Sequence, residues 1–214
     1  RAKLIGVGGS WLLFDIIFYG LTLLGGVVIN DISDEDDNVS SDSNLRNICS
    51  KQSIGLSLGL VAVALTILML NYWNLKSVQI TGFIAMGFFL TMLACFFSFL
   101  QKYSPDGLFV LYCLCLMMIQ FGVAVTVFSL PAALFEKDIR STFNGIAAAG
   151  GKIGAIIGAY TFTYIANASI QGVLACCVIL CAAGVWVTYH YIDDADLAHE
   201  KPAASSHYES SSTD

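Results

Sequence analysis

Between Leu4 and Ile29 the chain reads LIGVGGSWLLFDIIFYGLTLLGGVVI, with a single charged side chain, Asp15. No other feature restricts the fold as much. At about 1.5 Å per residue, a helix over this run crosses the roughly 30 Å hydrocarbon core of a bilayer. In lipid every backbone N–H and C=O must be paired internally, so such a run spans as a helix. Asp15 lies near its middle, where an acid costs at least about 2.5 kcal/mol to insert, so its default reading is functional. Trp11, Asp15 and Tyr19 follow at i, i+4 and i+8 and share one helix face. That face offers an indole N–H, a carboxyl group and a phenol. The alternative is a packing stripe whose acid bonds a neighbouring helix.

Five further apolar runs follow at 54–73, 78–100, 107–135, 145–166 and 170–192, against 4–29 for the first. The chain is 57% hydrophobic and 12% charged, where a soluble domain is about 25% charged. Membrane β-strands alternate in polarity and run only about 9–11 residues, so the expected class is an all-α membrane protein with six transmembrane helices. The first connection, 30–53, is acidic and poor in apolar residues, which predicts an irregular loop. The tail, 193–214, is polar and Ser-rich and reads as an unstructured extension. The domain expectation is therefore a six-helix unit over 1–192 and a tail over 193–214.

Orientation follows from Lys and Arg. With the N-terminus in the cytoplasm, Arg1, Lys3, Lys76, Lys137, Arg140 and Lys201 fall inside, and Arg46, Lys51 and Lys102 outside. That satisfies the positive-inside rule. The tail is then cytoplasmic and the 30–53 loop extracellular. The sequons at Asn38 and Asn167 both fall outside, with Asn38 the better-placed glycosylation acceptor. The formal charge of −6 comes without a basic patch and argues against nucleic acid. Cys95, Cys113, Cys115, Cys176, Cys177 and Cys181 lie in apolar runs, as small helix fillers do. Cys49 falls in the predicted loop. No metal-ligand spacing, nucleophile–base pair or phosphate loop is present, so neither an enzyme nor a cofactor is expected.

Asp15 and Lys152 are the two charges deep within the spans, and His190 sits at a helix end. Burying either charge alone is costly, so they are natural partners through water or a ligand. A structural ion pair is the alternative. Around Lys152 the sequence is GIAAAGGKIGAIIGAYTFTYIA, with Gly150, Gly154 and Gly158 four residues apart. Small residues at that spacing let a neighbouring helix approach closely. Gln120, Gly122 and Thr126 lie within two turns and can face a cavity. Pro131 removes a backbone donor and predicts a kink.

GSWLLFDIIFY at 9–19 resembles the seventh helix of the fungal, plant and protist proton-coupled phosphate symporters of the major facilitator superfamily. RSTFNGIAAAGGKIGAIIG at 140–158 is similar to that family's RST…GISAASGKAGAI segment, which leads through its eleventh helix. QFGVAVTVFSLP at 120–131 partly resembles its tenth. The resemblance implies helices seven to twelve, the C-terminal half of such a transporter, built as two inverted three-helix repeats.

By the same resemblance Trp11, Asp15, Tyr19 and Lys152 are phosphate-site residues. Asp15 and Lys152 also serve proton coupling, and Gln120 stands in for a family Asn that falls at Ala124. The short 74–77 loop, NLKS, holds one lysine, Lys76, where the family has a basic cluster. The implied partners are inorganic phosphate, protons, the bilayer and an N-terminal six-helix half lying upstream of Arg1. The implied membrane is the plasma membrane. Ala124 keeps open another solute, such as an organic anion or a sugar. The sparse basic loop keeps open a non-transporting half-transporter or receptor.

Overall fold

The computed structural model describes residues 2–32, 41–166, 169–194 and 197. Asn38, Asn167 and nearly all of the tail lie outside the described residues, as does the centre of the 30–53 connection. Among the described residues there are seven helices: α1 (Ala2–Ile32), α2 (Ser41–Leu70), α3 (Leu75–Tyr103), α4 (Pro105–Gln120), α5 (Val123–Leu134), α6 (Lys137–Ala166) and α7 (Ile170–Tyr191). Among the described residues there is no strand. Six of the described stretches are long and apolar enough to cross a membrane: 2–23, 49–70, 75–103, 105–134, 137–166 and 170–191.

Local chemistry sets several ends. Ser104 accepts the Gly107 N–H at 3.3 Å ahead of a first turn holding Pro105 and Asp106, which suits a positive helix N-terminus. Ser169 does the same for Gly172 at 3.2 Å. Lys76 meets Asp194 at 3.7 Å, tying the start of α3 to the residues after α7.

Two segments differ from the sequence expectation. α2 begins at Ser41, so residues 41–53 are helical and Cys49 sits on a helix. Its first turns are polar, which conceals them from a hydropathy window, and Gln52 Nε2 donates to the Thr22 carbonyl of α1 at 2.6 Å. The fourth span is interrupted at Gly122, while α5 runs on through Pro131. Gly122 has φ 72° and ψ −73°, and Val123 N–H reaches back to Phe121 O at 2.8 Å, a γ-turn that glycine adopts without a Cβ penalty. A Cβ there would also meet Gly82 Cα and Val78 O of α3, each at 2.8 Å. The freed Gly122 N–H donates to Thr66 Oγ1 of α2 at 2.8 Å, so the break is satisfied by its neighbour, as membrane burial demands.

α1 packs chiefly on α6, α3 on α7, and α2 on α4. This pairing has a two-fold pattern. Exchange the first span for the fourth, the second for the fifth and the third for the sixth: the α1–α6 pair becomes α2–α4, and α3–α7 returns to itself. Two inverted triplets require that exchange. Large apolar side chains such as Leu60, Leu68, Phe88, Val110 and Ile179 stay exposed, as a bilayer surface requires.

Candidate functional site: the α1–α6 seam

Around Gly154 and Gly158 the seam between α1 and α6 is backbone against backbone. Ala147, Gly151, Gly154, Gly158 and Phe162 form the buried face of α6. A Cβ on Gly154 would run into the Leu12 backbone, and one on Gly158 into the Ile16 backbone. The sequence expectation of close approach is met, with Gly151 added and with α1 as the neighbour. Gly150 lies at the edge, its position 3.4 Å from Gly8 O by the same measure.

Because the helices close so tightly, polar groups from both meet at mid-span. Trp11 and Asp15 are buried, Tyr19 is half-buried and Lys152 is exposed. The Trp11 indole hydrogen-bonds the Asp15 carboxyl group, and Lys152 acts on Asp15 electrostatically. Among the described residues no direct ion pair joins the two charges. The Lys152 ammonium instead stands 5.7 Å from the centre of the Tyr19 ring, within cation–π range. So the structure brings Trp11, Asp15, Tyr19 and Lys152 into one group. It has a carboxyl group able to gain or lose a proton, an ammonium at an open face, and two amphipathic rings between them.

Two contributors escape the sequence reading. A Cβ at Gly151 would meet Trp11 Nε1 at 2.6 Å and Asp15 Oδ2 at 2.8 Å, so this glycine lets α6 close over the pair. The tandem Gly150-Gly151 before Lys152 was its only trace. Phe128 of α5 sets its ring 4.6 Å from that of Trp11, edge to face, and nothing in the sequence marks that contact. Gln120 lies elsewhere, its side chain packed on Gly59 of α2, and among the described residues it hydrogen-bonds neither Asp15 nor Lys152. Thr126 does not face a cavity: its hydroxyl is buried and donates to Gly122 O at 3.0 Å. Ala124 packs against the apolar core.

A multi-pass integral membrane protein with opposite charges gathered at mid-span on two closely packed helices is the class these features define. Residues 7–212 match the family model described as Major Facilitator Superfamily, and the chain belongs to that superfamily. It is 33% identical over 164 residues to the inorganic phosphate transporter PHO84 of Saccharomyces cerevisiae, covering 72% of this chain and 26% of the yeast protein. To the inorganic phosphate transporter PT2 of Toxoplasma gondii it is 29% identical over 192 residues, 89% of this chain and 33% of that protein. To the probable inorganic phosphate transporter 1-3 of Arabidopsis thaliana it is 34% identical over 174 residues, 77% and 32% of the two. The chain thus spans about a quarter to a third of the length of the curated relatives it matches.

Proposed function

We propose that this chain is the C-terminal six-helix half of a plasma-membrane symporter that moves inorganic phosphate with protons by alternating access. The observation that carries the reading is the Trp11–Asp15–Tyr19–Lys152 group across the α1–α6 seam. It is supported by relatives whose names are those of phosphate transporters. Lys152 supplies the positive field for the anion, and Tyr19 offers its hydroxyl. Trp11 has one N–H, and in the structure Asp15 holds it.

That bond gives a route for coupling. A carboxylate is a stronger acceptor than a neutral carboxylic acid. Protonation of Asp15 loosens its hold on the indole and removes a charge that repels phosphate. The indole N–H is then released to a phosphate oxygen. Loss of the proton returns the indole to Asp15 and restores the repulsion, which favours release. Rocking of this half against an N-terminal half alternates access to the site. In this reading the N-terminus is cytoplasmic, the connection between α1 and α2 is extracellular with Asn38 as its acceptor, and Gln120 reaches the substrate only after a rearrangement away from Gly59.

The test is a double-mutant cycle in the intact protein that carries this chain, read by uptake of labelled phosphate in competition with sulfate and sugars. Lys152→Ala should reach the membrane folded but lose phosphate binding. Lys152→Arg should keep some phosphate binding but transport little, because a guanidinium keeps its charge and does not release its proton. If instead Lys152→Ala folds poorly and the added Asp15→Asn restores folding, the pair is structural. Sulfate or a sugar displacing phosphate fully would reassign the substrate.

A further inference from the structure

We propose that the cavity where α5 meets α6 is a second oxyanion site, a station for a phosphate group lying one stage beyond Lys152; its place on a route rests on the phosphate-transport reading. The cavity holds about 320 Å³ and is lined by Phe128, Ala132, Lys137, Arg140, Ser141 and Asn144. Every polar lining group can donate to an anion: an ammonium, a guanidinium, a hydroxyl and an amide. The carboxylates on either side of Lys137, Glu136 and Asp138, are outside the lining and exposed.

Positive charge at a helix end also serves topology, but topology needs no cavity and no fixed side chain. Here Arg140 Nε donates to the Phe135 carbonyl at 3.1 Å, which anchors its stem at the α5–α6 turn. A held guanidinium has less freedom to lose when it binds an oxyanion.

Position connects this cavity to the mid-span group. Ser141 and Lys152 are separated by three helical turns of α6, about 16 Å of rise, and at 3.6 residues per turn they share a face. Thr163 lies three turns further on, in a second cavity of about 400 Å³ with Ala159, Tyr160 and Tyr164. One face of α6 therefore runs from a basic cavity past the lysine to an aromatic one. Phe128 links the two: it lines the basic cavity and touches Trp11. An anion leaving the Trp11–Asp15–Lys152 group in this direction meets the Phe128 ring first, then two cations.

Equilibrium binding of labelled inorganic phosphate to the intact protein in lipid nanodiscs tests the site apart from transport. The Lys152→Ala background silences the mid-span group. The cavity should still bind phosphate there, and adding Lys137→Gln with Arg140→Gln should weaken that binding about tenfold, the scale of one charge-assisted hydrogen bond. Lys137→Gln alone should weaken it several-fold, and it spares the Arg140–Phe135 contact should that be needed for folding. The discs separate free phosphate from a lipid headgroup. Lys137-dependent phosphate binding in net-neutral phosphatidylcholine assigns the cavity to the free ion. Lys137-dependent capture of phosphatidylglycerol, without the phosphate effect, assigns it to a headgroup phosphate. Neither dependence overturns the site. Lys152→Ala with undiminished transport would defeat the transport reading while leaving the binding result standing.

Discussion

The α1–α6 and α3–α7 seams are the two most extensive helix contacts in the bundle, and they differ at their centres. In α3–α7 the glycines receive side chains: Phe83 fills the space over Gly184, and Cys181 covers Gly87. Its buried polar pair is neutral, with Gln79 Nε2 donating to Thr188 Oγ1 at 3.0 Å and Thr188 in turn donating to Gly184 O at 2.8 Å; charge enters at its end, where Lys76 meets Asp194 and the Tyr189 ring. In α1–α6 Gly154 and Gly158 receive backbone, while Phe162 covers Gly20 and Trp11 and Asp15 meet Gly151, and the polar groups include a carboxyl and an ammonium. Interlocked side chains fix a seam in register, whereas smooth backbone surfaces hold helices close with little interdigitation. On the proposed transport reading, α3–α7 serves as the scaffold and α1–α6 as the seam that handles charge.

Crowding the smooth seam should break the protein. Gly154→Leu drives a side chain into the Leu12 backbone and should cost about 3 kcal/mol or more, seen as loss of folded protein by fluorescence-detected size exclusion. A well-folded Gly154→Leu would mean that the seam is loose. Asp15→Asn comes next. It keeps shape and removes the titratable group, so accumulation against a gradient should vanish while counterflow exchange persists; unchanged accumulation removes Asp15 from coupling.

Smaller effects belong outside the seam. Thr66→Val takes the acceptor from the buried Gly122 N–H and should cost about 1–3 kcal/mol, read as a lower melting temperature. Gln79→Leu should cost least, under about 1 kcal/mol, since interhelical hydrogen bonds in membranes average roughly 0.6 kcal/mol. The Gln79 carbonyl oxygen is itself buried without a partner among the described residues. Transport in Gln79→Leu should match the unmodified protein. If Gln79→Leu cost as much as Gly154→Leu, the division into scaffold and working seam would fail.

Asp15 and Lys152 were legible because an intramembrane charge is conspicuous against apolar neighbours, and the two-turn ladder of Trp11, Asp15 and Tyr19 follows from helical period alone. The glycine spacing of α6 was legible for the same reason. Their meeting was not, because periodicity gives a face and never the neighbour it packs on. Gln120 shows the other side of this limit: a polar residue in a span satisfies the pattern of a site, yet its side chain packs against α2.

From sequence alone come the six spans, the all-α class and the two lone charges, since lipid leaves a long apolar run one way to pair its backbone. The tertiary structure decided where the fourth span breaks. Pro131 was the visible breaker, but a buried N–H can be released only where another helix accepts it, and Thr66 offers its hydroxyl at Gly122. It also decided that Gly151 touches the Trp11–Asp15 pair and that Phe128 stands against Trp11. Both depend on the distance between helices, which is set by how backbones fit and is written in no single stretch of the chain.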